Sequence, residues 1–486
     1  MNDLEIFKNY INGQWLDSVT SETFEQRNPA RLSQVTGLFP LSSKDDALKT
    51  ISAAQLAFPV WKTLSPAKRA EQLRRVLALM IERKDEISRI ITLESGKILS
   101  DSLIEVGAAI NEMDFQINEG LRLFGETVPV SIEGVFAYTL KEPLGVVSII
   151  CPWNFPFNVP VRKCTPALMA GNTCVMKPAS LTPQTGIILA KLFHDAGVTS
   201  GVFNLITGSG REVGNALVTD ARIKAISFTG STEVGMEIHK KAAFNATRTQ
   251  LEMGGKNAVI ILEDADIDSA IKAVIRGAFA CSGQWCTSTS RVIVVEKVAQ
   301  ECTEKLVKAT NSIIVGDGFD DKTGMGPVCG SIQVETVMKY IKLGKDEGAK
   351  LLTGGEKITK NDFQDGCFIE PAIFGDVKPN MKIAQEEIFG PVLSIITVKN
   401  LEEAIKISND IKFGLCSSIF TKNLNHAMTF VEQTEVGLTH VNLMTSLKEP
   451  QLSFGGIKES GVGLPEAGRT GIEFFINHKS VYLKYT

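Results

Sequence analysis

The chain has 486 residues, 44% of them hydrophobic and 22% charged, with a formal net charge of −4 and no dense block of Lys and Arg. That composition builds ordered cores in more than one lobe, and it argues against a nucleic acid or an anionic membrane as the main partner. No apolar run approaches the ~18 residues of a membrane span. The start, MNDLEIFKNYINGQW, does not read as a secretory leader. Nine cysteines without framework spacing predict free thiols in a reducing cytoplasm. The histidines form no H-E-x-x-H and the cysteines no C-x-x-C, so no metal site is expected.

Along the chain, Ser65-Pro66 reads as a helix start, with Ser as N-cap and Pro at the first helical position. Leu73, Val76, Leu77, Met80 and Ile81 then recur at helical spacing and predict a one-sided helix. From residue 143 the texture changes. Short apolar runs at 145–150, 173–177, 202–206, 224–228 and 257–262 are separated by stretches long enough for a helix, the pattern of βαβ units around a buried parallel sheet. A second series lies at 291–295, 393–398, 417–421 and 439–443. The expectation is two α/β lobes, each a doubly wound parallel sheet, with a seam near residue 255. The alternating stretch 128–141 and the tail 480–485 read as strands outside both lobes, meeting each other or a second subunit.

TGSGREVG (207–214) and FTGSTEVG (228–235) each follow an apolar strand and lead into a helix. Neither is the G-x-G-x-x-G fingerprint, and a tight strand-to-helix turn would explain either one. Gly230 nevertheless permits close approach, and a helix N-terminus offers free N–H groups to a pyrophosphate. Four further segments carry reactive or polar residues at strand ends: CPWNFP (151–156), KPAS (177–180), LEMGGKN (251–257) and FACSGQWCTSTSR (279–291). By residue type alone, Trp153 could be a core aromatic, Asn154 a turn cap and Glu252 a surface carboxylate. Cys281 and Cys286 could be a redox pair, one nucleophile with a bystander, or buried filler.

The ordered set PWNFP, KPAS, FTGST, LEMGGKN, GQWC, EEIFGPV (386–392) and FGGIKESGVG (454–463) resembles the NAD(P)-dependent aldehyde dehydrogenase superfamily over essentially the whole chain. The resemblance implies a dinucleotide-binding domain at 1–123 and 143–254, a catalytic domain at 255–455, and oligomerisation strands at 124–142 and 470–486. It implies Cys286 as the nucleophile toward an aldehyde, Asn154 with the Cys286 N–H as oxyanion donors, and Glu252 as the base for thioester hydrolysis. Trp153, Lys177, Ser180, Gly208, Gly230, Ser231, Glu387 and Phe389 fall at cofactor positions. Cys281 is left as a lining residue.

Ser180 stands where many NAD-preferring relatives carry Glu, so NADP or dual use is expected. Arg162, eight residues after Asn154, matches an Arg that binds the distal carboxylate in succinate-semialdehyde dehydrogenases, and guanidinium suits carboxylate. A second Arg often found in that group is replaced here by Ala280. THVNLMTSLKEP (439–450) resembles a substrate loop of α-ketoglutarate-semialdehyde (2,5-dioxopentanoate) dehydrogenases, and Trp285 would shape the acyl pocket. A four- or five-carbon semialdehyde acid is the expected substrate, with a broad aliphatic or aromatic aldehyde as the alternative. A homodimer or homotetramer is expected. Non-catalytic, thiol-esterase and CoA-acylating readings fit the intact Cys286, Glu252 and Asn154 less well.

Overall fold

A computed structural model describes residues 4–360 and 363–485. Its largest sheet has eight strands in the order Gln14–Leu16, Asn9–Ile11, Phe203–Leu205, Thr173–Lys177, Val146–Ile150, Ile223–Thr229, Arg248–Glu252 and Gly461–Val462. The five central strands are parallel, and the outer three pair antiparallel. Val146–Ile150 and Thr173–Lys177 are buried along nearly their whole length, as a sheet covered on both faces requires. The second sheet has seven strands: Lys350–Thr353, Ala372–Gly375, Val392–Val398, Thr289–Val295, Asn257–Ile261, Cys416–Phe420 and Leu438–Val441. All but Lys350–Thr353 run parallel in it.

Every apolar run read as a strand forms one, within a residue or two at each end. The main differences lie in short elements. Residues 128–141 do not make one strand. They divide into Thr127–Val128 and Val135–Pro143 around a turn in which Gly134 takes a φ of +71°. The longer of these pairs over its whole length with Ile476–Lys484, so the two outlying segments do meet.

The helix Pro66–Glu82 starts as expected, with Ser65 Oγ accepting from the Lys68 N–H. Leu73, Val76, Leu77 and Met80 are buried on it, whereas Ile81 is 57% exposed and lies off the stripe. Among the described residues no helix is long and apolar enough to cross a membrane, and no group of His, Cys, Asp and Glu has the makings of a metal site.

The sheets meet end to end. Ile150, Lys177, Thr229 and Glu252 close the C-terminal ends of four parallel strands of the first sheet. Facing them are the loops that enter Thr289–Val295 and Val392–Val398 of the second sheet, which carry Cys286 and Glu387-Ile388-Phe389. Gly255 N–H donates to Glu387 Oε1 (2.9 Å) across this junction.

Candidate active site

Eight of the nine cysteines are buried; Cys286 alone is partly exposed. Its loop is shaped by Gly283, whose φ is +70° and whose Cβ, if present, would lie 2.2 Å from the Gly390 carbonyl oxygen. Only glycine lets the loop rest there. Asn257 Nδ2 then donates to the carbonyl oxygens of Cys286 and Ser288, both at 2.8 Å. The Cys286 N–H makes no hydrogen bond among the described residues, so it remains a free donor beside its own sulfur.

Asn154 reaches the same loop from the first sheet. Its Nδ2 donates to the Gln284 carbonyl oxygen at 3.1 Å, and its main-chain oxygen accepts from Lys97 Nζ at 2.6 Å. Two cavities share Asn154 and Cys286 in their walls. One, of about 190 Å³, is further lined by Phe155, Arg162, Trp285, Lys448 and Phe454. The other, of about 400 Å³, is lined by Trp153, Gly230, Ser231, Glu387 and Phe389. Trp153 and Phe389 pack edge to face there, with centroids 5.3 Å apart.

A third cavity, of about 630 Å³, shares Val234 with the second and carries Lys44, Lys177, Arg211 and Lys241. Lys241 is paired with Glu237 at 2.7 Å. Ser231 caps the helix Thr232–Ala242, whose first turn opens toward the second cavity. Ser180 Oγ donates to the Gly208 carbonyl oxygen at 3.4 Å; these two residues hold each other and are not part of the wall around Lys177.

Glu252 ends the strand Arg248–Glu252 and is 4% exposed. Room for its carboxylate exists because residue 455 is glycine, where a Cβ would come within 2.7 Å of Oε1. Oε2 has no hydrogen-bond partner among the described residues. Burial, then the nearby Glu466, push its carboxyl well above the usual carboxylate range, against the pull of Lys163 and Arg162. Glu252 lines neither cavity beside Cys286, yet its charge reaches the sulfur. Burial pushes the Cys286 thiol up to about 12; Arg162 opposes this, while Glu387 and Glu252 add to it. Glu387 is itself pushed up to about 7 by burial. Burial thus disfavours the charged form of both the candidate nucleophile and the candidate base.

Cys281 is placed differently. It takes a φ of +51°, and its N–H donates to Asp101 Oδ2 at 3.0 Å. Burial raises its thiol to about 12, and it lines no cavity beside Cys286.

The aldehyde dehydrogenase family model matches residues 15–481 of the chain. The chain belongs to the aldehyde dehydrogenase family. It is 40% identical over 478 residues to alpha-ketoglutaric semialdehyde dehydrogenase of Bacillus subtilis strain 168, covering 98% of both chains. It is 36% identical over 482 residues to glutarate-semialdehyde dehydrogenase of Pseudomonas putida KT2440, covering 99% of this chain and 98% of that one. The crystal structure of an NADP-dependent enzyme of E. coli superposes with a TM-score of 0.96 at 34% identity, over 100% of this chain and 99% of that one.

As an aldehyde dehydrogenase the protein oxidises an aldehyde to a carboxylic acid with NAD(P). The two cavities on the cofactor side suit a dinucleotide. A helix N-terminus, a glycine at 230 and three cations that make no ion pair among the described residues (Lys44, Lys177 and Arg211) could serve as donors to phosphates.

Sequence reasoning missed several charged groups around this aldehyde dehydrogenase site. Lys163, adjacent to Arg162, is fully buried and bonded to Glu466 and to Ser227 Oγ. Glu466 also accepts from Arg162 Nε at 2.8 Å. Lys97 and Glu105 form a buried pair at 2.6 Å behind Asn154. Lys448 stands in the wall of the cavity that holds Cys286. The visible signal was a pair of adjacent cations inside the otherwise apolar NVPVRKC, and an Lys inside the quoted loop 439–450.

Proposed function

We propose that the enzyme oxidises a five-carbon semialdehyde acid, such as glutarate semialdehyde or 2,5-dioxopentanoate, and uses NADP at least as well as NAD. The observation that carries the substrate class is Arg162, buried in the wall of the same cavity as Cys286. Its Nε is taken by Glu466, and the rest of the guanidinium donates no hydrogen bond among the described residues. A guanidinium with free donors in an aldehyde pocket selects a substrate carboxylate. The five-carbon length is supported by two relatives whose names specify alpha-ketoglutaric and glutarate semialdehydes.

In this reading Glu252 takes the Cys286 proton, directly or through a water, and the thiolate adds to the aldehyde carbon. The carbonyl oxygen becomes the anion of a thiohemiacetal, facing Asn154 Nδ2 and the Cys286 N–H. Loss of one such donor typically costs ~10²–10³ in rate. Bound NAD(P) would supply the acceptor for the hydride that leaves the thiohemiacetal carbon. The C–S bond that remains is a thioester; water, deprotonated by Glu252, attacks it, the thiolate leaves and the acid is released. Glu252 lies behind the cavity walls, so this role requires its side chain to turn toward Cys286. Between the two steps Glu252 passes the thiol proton to solvent.

Lys177, Arg211 and Lys44 would hold the adenosine end of the cofactor, with neutral Ser180 leaving a 2′-phosphate unopposed. Gly230 and Ser231 would hold the pyrophosphate. Glu387, Phe389 and Trp153 would hold the nicotinamide end. The antiparallel arm of Val135–Pro143 and Ile476–Lys484 leaves Tyr482, Leu483 and Tyr485 exposed and would join subunits.

The test compares kcat/KM for 5-oxopentanoate (glutarate semialdehyde) with that for pentanal, its uncharged counterpart. A strong preference for the acid, lost in Arg162→Ala, is expected. Equal use of both aldehydes would instead support a broad-specificity enzyme.

A further inference from the structure

Beyond Arg162, the cavity that holds Cys286 contains a second cation with no hydrogen-bond partner. Lys448 comes from the loop after the last strand of the second sheet. Its stem is 22% exposed, but Nζ is shielded from water and forms no hydrogen bond. The nearest carboxylate oxygen, Glu112 Oε2, is 3.7 Å away, too far for a hydrogen bond. Phe454 is shared between the two cations: Arg162 Cζ lies 4.5 Å and Lys448 Nζ 5.8 Å from its ring centroid. Three further polar atoms in this wall, Asn158 Oδ1, Thr287 Oγ1 and Ser446 Oγ, are buried and unpaired as well.

A buried ammonium that makes no hydrogen bond and has its one carboxylate neighbour at 3.7 Å is costly to keep. Burial, then the Arg162 charge, hold the Lys448 amine down at about 8, while Glu112, Glu466 and Cys286 pull the other way. Glu466 is already shared between Arg162 and Lys163, and burial pushes Glu112 toward its neutral form. The wall that Lys448 and Arg162 share with Cys286 is therefore short of one anion.

We infer that Lys448 is a specificity-determining residue that, opposite Arg162, binds the distal carboxylate of the substrate. This rests on the reading of the enzyme as a semialdehyde-acid dehydrogenase. The carboxylate takes one oxygen to the Lys448 ammonium and the other to the free side of the Arg162 guanidinium, and Phe454 fixes the gap between them. Arg162, anchored by Glu466, is the rigid half of the clamp. Lys448, on a loop, is the half that substrate engages.

The experiment uses the full chain with Lys448→Met, Lys448→Arg and Arg162→Ala. It measures steady-state kinetics with 5-oxopentanoate and pentanal, and binding of the product glutarate by calorimetry. Lys448→Met is expected to raise KM for 5-oxopentanoate and Kd for glutarate about ten- to hundredfold, the loss of one charge-assisted hydrogen bond. Its kcat should change little, pentanal kinetics should stay as in wild type, and Lys448→Arg should keep most of the acid preference.

If Lys448→Met leaves the acid preference intact while Arg162→Ala removes it, the inference is wrong and the substrate reading stands. If Lys448→Met impairs both aldehydes alike, the lysine is only a structural partner of Glu112 and the inference is overturned. If wild type shows no acid preference and does not bind glutarate, the substrate reading fails and takes the inference with it.

Discussion

Lys97 Nζ lies 2.6 Å from the main-chain oxygen of Asn154, and the same ammonium pairs with Glu105 Oε2 at 2.6 Å. The second oxygen of Glu105 accepts the N–H groups of Phe157 and Asn158 at 2.9 and 3.1 Å. Glu105 thus holds the start of the helix Asn158–Met169, while Lys97 holds the residue that offers its amide to the Cys286 loop. The pair is a buried clamp on Asn154, the proposed oxyanion donor.

Lys97→Met should therefore lower kcat with little change in KM for the aldehyde. Removing one partner of a buried pair also costs about 3–5 kcal/mol, so rates are to be normalised to the amount of alkylatable Cys286. A positioning role predicts non-additivity: Asn154→Ala lowers kcat by ~10²–10³, and Lys97→Met on that background adds almost nothing. A full additional loss in the double variant would place Lys97 outside the oxyanion arrangement.

The pH profile follows from two raised groups. Cys286 and Glu252 both lie above their ordinary ranges, chiefly through burial. In the proposed mechanism each acts in its deprotonated form, whose population grows as pH rises. The rate of acyl-enzyme formation in a single turnover should thus increase from pH 6 through pH 9, with no fall on the alkaline side from either group. In Glu252→Gln the slope should be shallower and deacylation should be the slow step. An optimum below neutrality in the wild type would contradict this assignment.

Cofactor choice is tested by Ser180→Glu. In the proposed cofactor arrangement a carboxylate at position 180 repels a 2′-phosphate held by Lys177, so kcat/KM with NADP should fall at least tenfold while that with NAD is kept or improved. Burial holds Lys177 down at about 8. The cation is lost as pH rises through that value, so the NADP-to-NAD preference of the wild type should shrink above pH 8. A ratio that is flat from pH 7 to 9 would show that Lys177 does not meet the phosphate.

How much of this was readable in sequence depended on how far apart the partners lie in the chain. Runs such as TCVMK and SSIFT could be read because a strand buried on both faces shows as a local apolar block. The antiparallel additions could not: Gly461–Val462 has two residues and pairs with a strand some two hundred positions earlier. Cys286 stood out through the glycines and motifs around it. Lys97 and Lys448 did not, because their meaning lies in contacts across 57 residues to Asn154 and from the loop 439–450 to Phe454 and Glu112. By type alone each is an ordinary lysine, and only burial of the ammonium distinguishes it.

Trapping the acyl-enzyme tests the central claim most directly. Glu252→Gln is mixed with 5-oxopentanoate and NADP, quenched in acid after one turnover, and its peptides are weighed. The account predicts one equivalent of reduced cofactor and a single glutaryl adduct, confined to the peptide containing Cys286 and absent in Cys286→Ala. Reduced cofactor without an adduct on Cys286, or an adduct on another cysteine such as Cys281, would contradict it.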